Sequence, residues 1–290
     1  MYSFLQKIKN QLLFSTFNVK KQKNIYKLPK VRVENLSQFP SAIPDIYIGK
    51  IAGIIVKNVF TDIELTKIKE NLNKYEHLGF NITWGSILGY PLNKATKYRS
   101  KYFAEVQNDK VTYSKIFNLN ISDKLTNIFK TISGGKVVSV PIEKQHNYNS
   151  GTFRIMEVNH GALKAHTGNE FIDLQKKKGM SYLVQLASMY DSMSYFILIQ
   201  KPDKGELILY DLLYENTPNE VFGFKQNTRN DEYFNNIASQ KLNLQEGDLL
   251  VFNGGRIWHK VTDIKGKQRR ITFGGFMAIS KDNQDIYYWG

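Results

Sequence analysis

The stretch Gly247-Asp-Leu-Leu-Val-Phe-Asn-Gly-Gly-Arg256, followed by His259 and then by Arg270-Ile271-Thr272, decides the fold class. Gly247 to Phe252 reads as a buried strand, Gly254-Gly255 as a turn, and Arg270 as the opening of the next strand. Working outward, Val137 to Ile142, Thr152 to Val158, Ser194 to Gln200, Glu206 to Asp211 and Arg270 to Ile279 are all short and β-rich. Pro202-Asp203-Lys204-Gly205 predicts a tight hairpin between two of them, and Lys265-Gly266-Lys267 a second. Upstream the periodicity is helical. Thr61 caps a segment in which Ile63, Leu65, Ile68, Leu72 and Tyr75 share a face, with Asp62 and Glu64 in the first turn. A second helix starts at Ser122, carries Leu125, Ile128, Phe129 and Ile132, and ends at Gly134-Gly135. Helices followed by a run of strands predict an α+β fold: a double-stranded β-helix (jelly roll, cupin-like) core supported by a layer of helices.

The 290 residues suffice for one large core, and no repeat or low-complexity linker divides them. A single domain over residues 31–290 is expected, behind a leader of residues 1–30. That leader carries seven lysines and no acidic residue, half of the net charge of +14. Phe4, Leu5, Ile8, Leu12 and Leu13 give it a weak amphipathic face. No basic–aromatic recognition motif accompanies the charge, so nucleic acid is not an expected partner. The absence of cysteine excludes disulfides, zinc–thiolate sites, iron–sulfur clusters and cysteine nucleophiles. No secretory pattern and no apolar run of roughly 20 residues is present, so the expectation is a cytoplasmic protein without a transmembrane segment.

The chemistry rests on His166-Thr167-Gly168 and the distant His259. Two histidines and one carboxylate hold Fe(II) in many mononuclear oxygenases, the carboxylate lying two residues after the first histidine. Gly168 occupies that position here. A two-histidine site would lack its anionic ligand, and a small anion such as chloride could take the place. Arg270 and Thr272 are two apart on a strand and so share a face, where a guanidinium fork and a hydroxyl can hold a carboxylate of 2-oxoglutarate. Arg269 would face the other way. Arg154, on the strand leading toward His166, is a further candidate anchor. Glu170 is the rival third ligand, but lies two residues beyond the usual position, about 6–7 Å further along an extended strand. The hairpin at Lys265 to Lys267 would set His259 and Arg270 on neighbouring strands. Each residue alone also has an ordinary reading: a capped histidine, a turn glycine, a solvated arginine pair.

Taken together, His166 to Phe171, Gly247 to Arg256, His259, Arg269-Arg270, Gly274-Gly275-Phe276 and Ile286 to Trp289 resemble the iron/2-oxoglutarate halogenases of the hapalindole and welwitindolinone alkaloid pathways. The similarity runs from about residue 35 to the end and is most specific in the C-terminal third. It implies Fe(II) on His166 and His259, halide (chloride or bromide) beside Gly168, 2-oxoglutarate and O2 as co-substrates, and a free small molecule rather than a carrier-tethered substrate. It also implies a role for Ser194 close to the metal. The segment Trp84 to Tyr90, expected with Phe171 to line the substrate pocket, departs from the family pattern and leaves the identity of the substrate open. The alternatives carried forward are a 2-oxoglutarate-dependent hydroxylase or desaturase of a small molecule such as a nucleotide, and a non-catalytic jelly-roll binding protein.

Overall fold

A computed structural model of the protein describes residues 25–92, 99–172, 181–222 and 231–290. Its first half places short strands around helices: β1 (Lys30–Arg32), helix α1 (Ala42–Tyr47), β2 (Gly53–Lys57), α2 (Asp62–Tyr75), β3 (Phe80–Ile82), β4 (Gly85–Leu88), α3 (Arg99–Phe117) and α4 (Ile121–Thr131). The second half is mostly strand: β5 (Val137–Ser139), β6 (Ile142–Glu143), β7 (His146–Asn147), β8 (Thr152–Met156), β9 (Leu163–His166), β10 (Met193–Gln200) and β11 (Leu207–Leu213). It continues with β12 (Ser239–Leu242), β13 (Leu249–Phe252), β14 (Ile257–Val261), β15 (Arg270–Ile279) and β16 (Asp285–Trp289).

Two sheets form the jelly roll. The major sheet runs β1-β2-β13-β10-β15-β8-β4-β3, with β16 and β5 branching from β15, and the minor sheet runs β12-β11-β14-β9. Leu249 to Phe252 are all buried because β13 lies between β2 and β10, helices covering one face of that sheet and the minor sheet the other. The alternation of side chains then sorts residues by parity. Ile197, Ile271, Phe273, Phe153 and Ile155 point into a core shared with Leu65, Ile68, Leu72, Ile116, Leu125 and Phe129 of the helices. Phe196, Leu198, Leu250, Phe252 and Met156 point inward between the sheets and meet Leu207, Leu209, Ile257 and Val261.

The α2 start is as expected. Thr61 Oγ1 accepts from the Glu64 amide at 3.3 Å while Glu64 Oε2 accepts from the Thr61 amide at 2.7 Å, a reciprocal capping box. Thr61→Ala should therefore cost about 1 kcal/mol, lowering Tm by about 2 °C in a calorimetric scan.

Three expectations need correction. The sequence pattern does not announce α3, the longest helix among the described residues. The turn at Pro202 to Gly205 is not a hairpin: β10 pairs with β13 and β15, whereas β11 pairs with β12 and β14 in the other sheet. The turn at Lys265 to Lys267 likewise carries the chain from β14 in the minor sheet to β15 in the major one. An antiparallel bridge between Lys204 and Lys265 ties these two sheet-switching turns together. His259 and Arg270 therefore stand on opposing sheets rather than neighbouring strands.

Of the basic leader, residues 1–24 lie outside the described residues. Residues 25–30 are docked: the Tyr26 hydroxyl donates to the Tyr210 carbonyl at 2.6 Å, and Tyr26 and Leu28 pack against the inter-sheet cluster. Among the described residues no helix is long and apolar enough to cross a membrane.

Candidate active site

His166 ends β9 and His259 sits in the middle of β14, directly opposite each other in antiparallel register. Their ring centroids are 4.2 Å apart. Each ring is oriented in the same way by its own strand: Nδ1 of His166 lies 2.7 Å from the Lys164 carbonyl and Nδ1 of His259 lies 2.8 Å from the Ile257 carbonyl. A carbonyl can only accept, so both Nδ1 atoms carry the proton and both Nε2 atoms carry the lone pair. That is the tautomer a metal requires, fixed by backbone before any metal arrives. The edge of the Phe252 ring packs against His259 at 5.0 Å and shields it.

The chain after His166 turns instead of extending. Gly168 has φ −65° and ψ −34° and opens a short 3-10 turn, Asn169–Phe171. Its amide donates to the Gly254 carbonyl at 2.8 Å, and the Asn169 amide to the Gly255 carbonyl at 3.1 Å. Glu170 folds back, its Oε2 accepting from the Thr167 amide at 2.9 Å, so its carboxylate caps the turn. Among the described residues no group of three or more His, Cys, Asp or Glu side chains could hold a metal ion. The candidate donor set is the two imidazoles, with Gly168 at the position where the two-histidine, one-carboxylate pattern has its acid.

On the facing sheet, Arg154 and Thr272 are register partners across β8 and β15, and Arg270 pairs with Met156. All three polar side chains are on the inward face. Arg270 is buried, stacked over the Phe196 ring at 5.1 Å with Nη1 3.9 Å from Met156 Sδ. Arg154 stacks over Phe276 at 5.5 Å. Neither forms an ion pair with a carboxylate among the described residues. Desolvation pulls the Arg270 guanidinium down to about 10, and the neighbouring Arg154 charge acts in the same direction. Two inward-facing cations without an acid fit a dianion such as 2-oxoglutarate, which would satisfy both. Arg269, by contrast, faces outward to Glu76 at 2.6 Å and Glu157 at 3.4 Å, as its parity predicts.

Ser194 is on the same inward face, in register with Phe252 on one side and Phe276 on the other. Its hydroxyl abuts Gly254, whose carbonyl holds the Gly168 amide. The candidate pocket residues part company. Trp84 packs against the cluster containing Met156 and Phe196, at the Arg270 end. Tyr90 belongs to a separate aromatic wall with Tyr102, Phe103, Tyr148 and Trp289 that reaches Phe276. The side chain of Phe171 lies outside the described residues. Phe276 links that wall to Arg154; the sequence shows it only as part of the Gly274-Gly275-Phe276 motif, although its parity with Arg270 and Thr272 is readable. Sequence reasoning missed Asp109, which accepts from the Tyr90 amide at 2.6 Å and from Asn149 Nδ2 at 2.9 Å, and whose carboxyl burial pushes up to about 6. A cavity of about 650 Å³ lies elsewhere, bounded by Tyr113, Ile121 and Val138 on the helix side of the major sheet.

The family described as carrier-protein-independent halogenase WelO5 matches residues 25–290. Among solved structures, an N-substituted L-amino acid dioxygenase from Burkholderia ambifaria AMMD superposes with a TM-score of 0.50 at 14% identity, covering 87% of this chain and 91% of that one. The same enzyme in complex with alpha-KG gives a TM-score of 0.50 at 14% identity over 85% of this chain and 90% of that one. At such identity the likeness establishes the fold alone. No curated protein matches the chain. The match across nearly the whole chain places it in the WelO5 family of carrier-protein-independent halogenases: it is a non-haem iron oxidoreductase that works with 2-oxoglutarate, halide and O2.

Proposed function

We propose that this enzyme chlorinates an unactivated aliphatic carbon of a free, alkaloid-like small molecule. The observation that carries the reading is the histidine pair, held in the metal-ready tautomer, beside a glycine where oxygenases place their carboxylate. His166 and His259 would hold Fe(II) through Nε2, and halide would take the metal position that a carboxylate at 168 would otherwise fill. Arg270, Thr272 and Arg154 would hold 2-oxoglutarate. Bound iron, with 2-oxoglutarate and O2, supplies the oxidising power for the overall change R–H + Cl⁻ + H⁺ + 2-oxoglutarate + O2 → R–Cl + succinate + CO2 + H2O.

The protein's own contribution is positional. Backbone carbonyls fix the two imidazoles, so no reorganisation is needed on loading. The stacked arginines fix the co-substrate carboxylate and neutralise its charge. Phe252 shields the His259 side of the chamber from water. Tyr90 and Phe276, half-buried and backed by the buried Tyr102 and Tyr148, give an aromatic surface against which a ring system can pack. Ser194, on the same face as Phe276, is placed to orient polar atoms near the metal by hydrogen bonding. Chlorination over hydroxylation then depends on holding the substrate carbon nearer the halide than the oxygen.

The test is an anaerobic titration of chloride into protein loaded with Fe(II) and 2-oxoglutarate, followed through the metal-to-ligand charge-transfer band. A chloride-dependent shift is expected, together with a chlorine isotope doublet in the product mass on turnover. A band indifferent to chloride in the presence of substrate, with oxygen added to the product, would sink the halogenase reading.

A further inference from the structure

Gly168 does not stand alone; it is one corner of a closed circuit of three loops. The Asn169 side chain, buried at 5% exposure, meets Asp191 twice. Its Nδ2 donates to Asp191 Oδ1 at 3.0 Å, and its Oδ1 accepts from the Asp191 amide at 2.9 Å. Asp191 holds φ +63°, an unfavoured conformation for a residue with a side chain. Asp191 Oδ1 also lies 3.8 Å from Nε of Arg256, which is anchored by an ion pair to Glu215. The backbone of Gly255, next to Arg256, accepts from the Asn169 amide, closing the ring. Gly168 is packed inside it: a Cβ there would meet Gly255 Cα at 3.1 Å and Ser192 Oγ at 3.4 Å.

We infer that the Asn169–Asp191 clasp, braced by Arg256, is the positioning device for the halide side of the site. It rests on the halogenase reading above and adds to it the residues that keep that space at a fixed size. Asn169 and Asp191 bond to each other and not to the histidines; they act through the Gly168 backbone and through Ser194, three residues beyond Asp191. Opening the clasp lets the turn at Gly168 drift relative to Gly254-Gly255 and loosens the halide pocket. The 2-oxoglutarate anchor sits on the opposite sheet and is untouched.

The donor–acceptor pattern of the clasp provides the test. Asn169→Asp sets two carboxylates face to face and breaks it. Adding Asp191→Asn restores both bonds with the side-chain donor and acceptor exchanged: the introduced amide donates to the introduced carboxylate, which still accepts from the backbone amide of position 191. In the anaerobic chloride titration the single variant should need about tenfold more chloride for half the band shift, the usual scale for removing a residue that supports a metal site. Its 2-oxoglutarate half-saturation should stay within about twofold, and the double variant should return to within about threefold of wild type for chloride. Hydrogen–deuterium exchange in the metal-free proteins gives a second readout: the amides of Gly168 to Ile172 should exchange faster in Asn169→Asp and recover in the double variant. Wild-type chloride affinity in Asn169→Asp, or no recovery in the double variant, would overturn the clasp while leaving the halogenase reading in place. A wild-type protein without any chloride response would remove both.

Discussion

Gly168→Asp is expected to abolish chlorination, with the chlorinated product falling at least about a hundredfold, the scale of about 2.7 kcal/mol. The backbone there is already in the right-handed helical region, so an L side chain meets no torsional penalty. The nearest contact of the new Cβ is backbone, Gly255 Cα at 3.1 Å, so the Gly254-Gly255 turn must give by a few tenths of an ångström. The variant's Tm, read beside its activity, reports whether that shift is tolerated. Its carboxylate is tethered to the site, whereas chloride must be drawn from solution against an effective concentration of about mM or more. Restoring the two-histidine, one-carboxylate set leaves halide without a place, and the charge-transfer band should stop responding to chloride. Hydroxylated product in place of chlorinated product is the matching outcome. Gly168→Ala adds the same Cβ without the charge and separates crowding from competition: it should keep a chloride response at reduced affinity. Chlorination by Gly168→Asp at the wild-type rate would place the halide elsewhere.

How far the sequence shows this site depends on which interactions are local. The strand parity that puts Arg270 and Thr272 on one face and Arg269 on the other follows from a period of two, and the structure keeps it. The capping of α2 is equally local. The helix Arg99–Phe117 was illegible because its buried positions, Tyr102, Phe103, Val106, Tyr113, Ile116 and Phe117, are aromatic or β-branched, types that weigh toward strand. The two glycine-bearing turns are legible as turns, but a short turn does not reveal whether the next strand stays in its sheet or crosses to the other. Register with distant strands decides that: β14 pairs with β9 and β11, and β15 with β8 and β10. Trp84 and Tyr90 are six residues apart, yet the strand Gly85–Leu88 between them carries them to different clusters. Nothing in the sequence marks Met156 and Phe196 as the bed of Arg270, because that contact joins three strands.

Arg270→Met is expected to make the protein more stable and the enzyme inactive. Without co-substrate, Arg270 is a buried cation resting on a thioether and a phenyl ring, with a second arginine as neighbour. Burial lowers its folded-state pKa to about 10, well below the unfolded value, so the native state binds its proton less well than the unfolded chain. A depressed base costs stability throughout the range below about 10, and the cost disappears only above the unfolded-state value; at neutral pH it is fully present, on the order of 3 kcal/mol. Methionine fills similar space without the charge, and substitutions of that kind stabilise by about 1–4 kcal/mol in other proteins. A rise in Tm of about 2–8 °C for the protein without 2-oxoglutarate follows. The wild type should recover its deficit when Fe(II) and 2-oxoglutarate are added anaerobically, by about 2.7 kcal/mol at a hundredfold excess over Kd. The variant should show almost none of that gain, and its half-saturation for 2-oxoglutarate should rise at least about a hundredfold, since a charge-assisted partner of the ligand carboxylate is gone. Arg270→Lys keeps a charge but loses the planar fork, so it should lose affinity without gaining stability. The two signs together identify the role. A structural arginine, once removed, lowers Tm and leaves the ligand response intact; an arginine held ready for a dianion does the reverse, because the fold bears the cost of the charge until the ligand arrives.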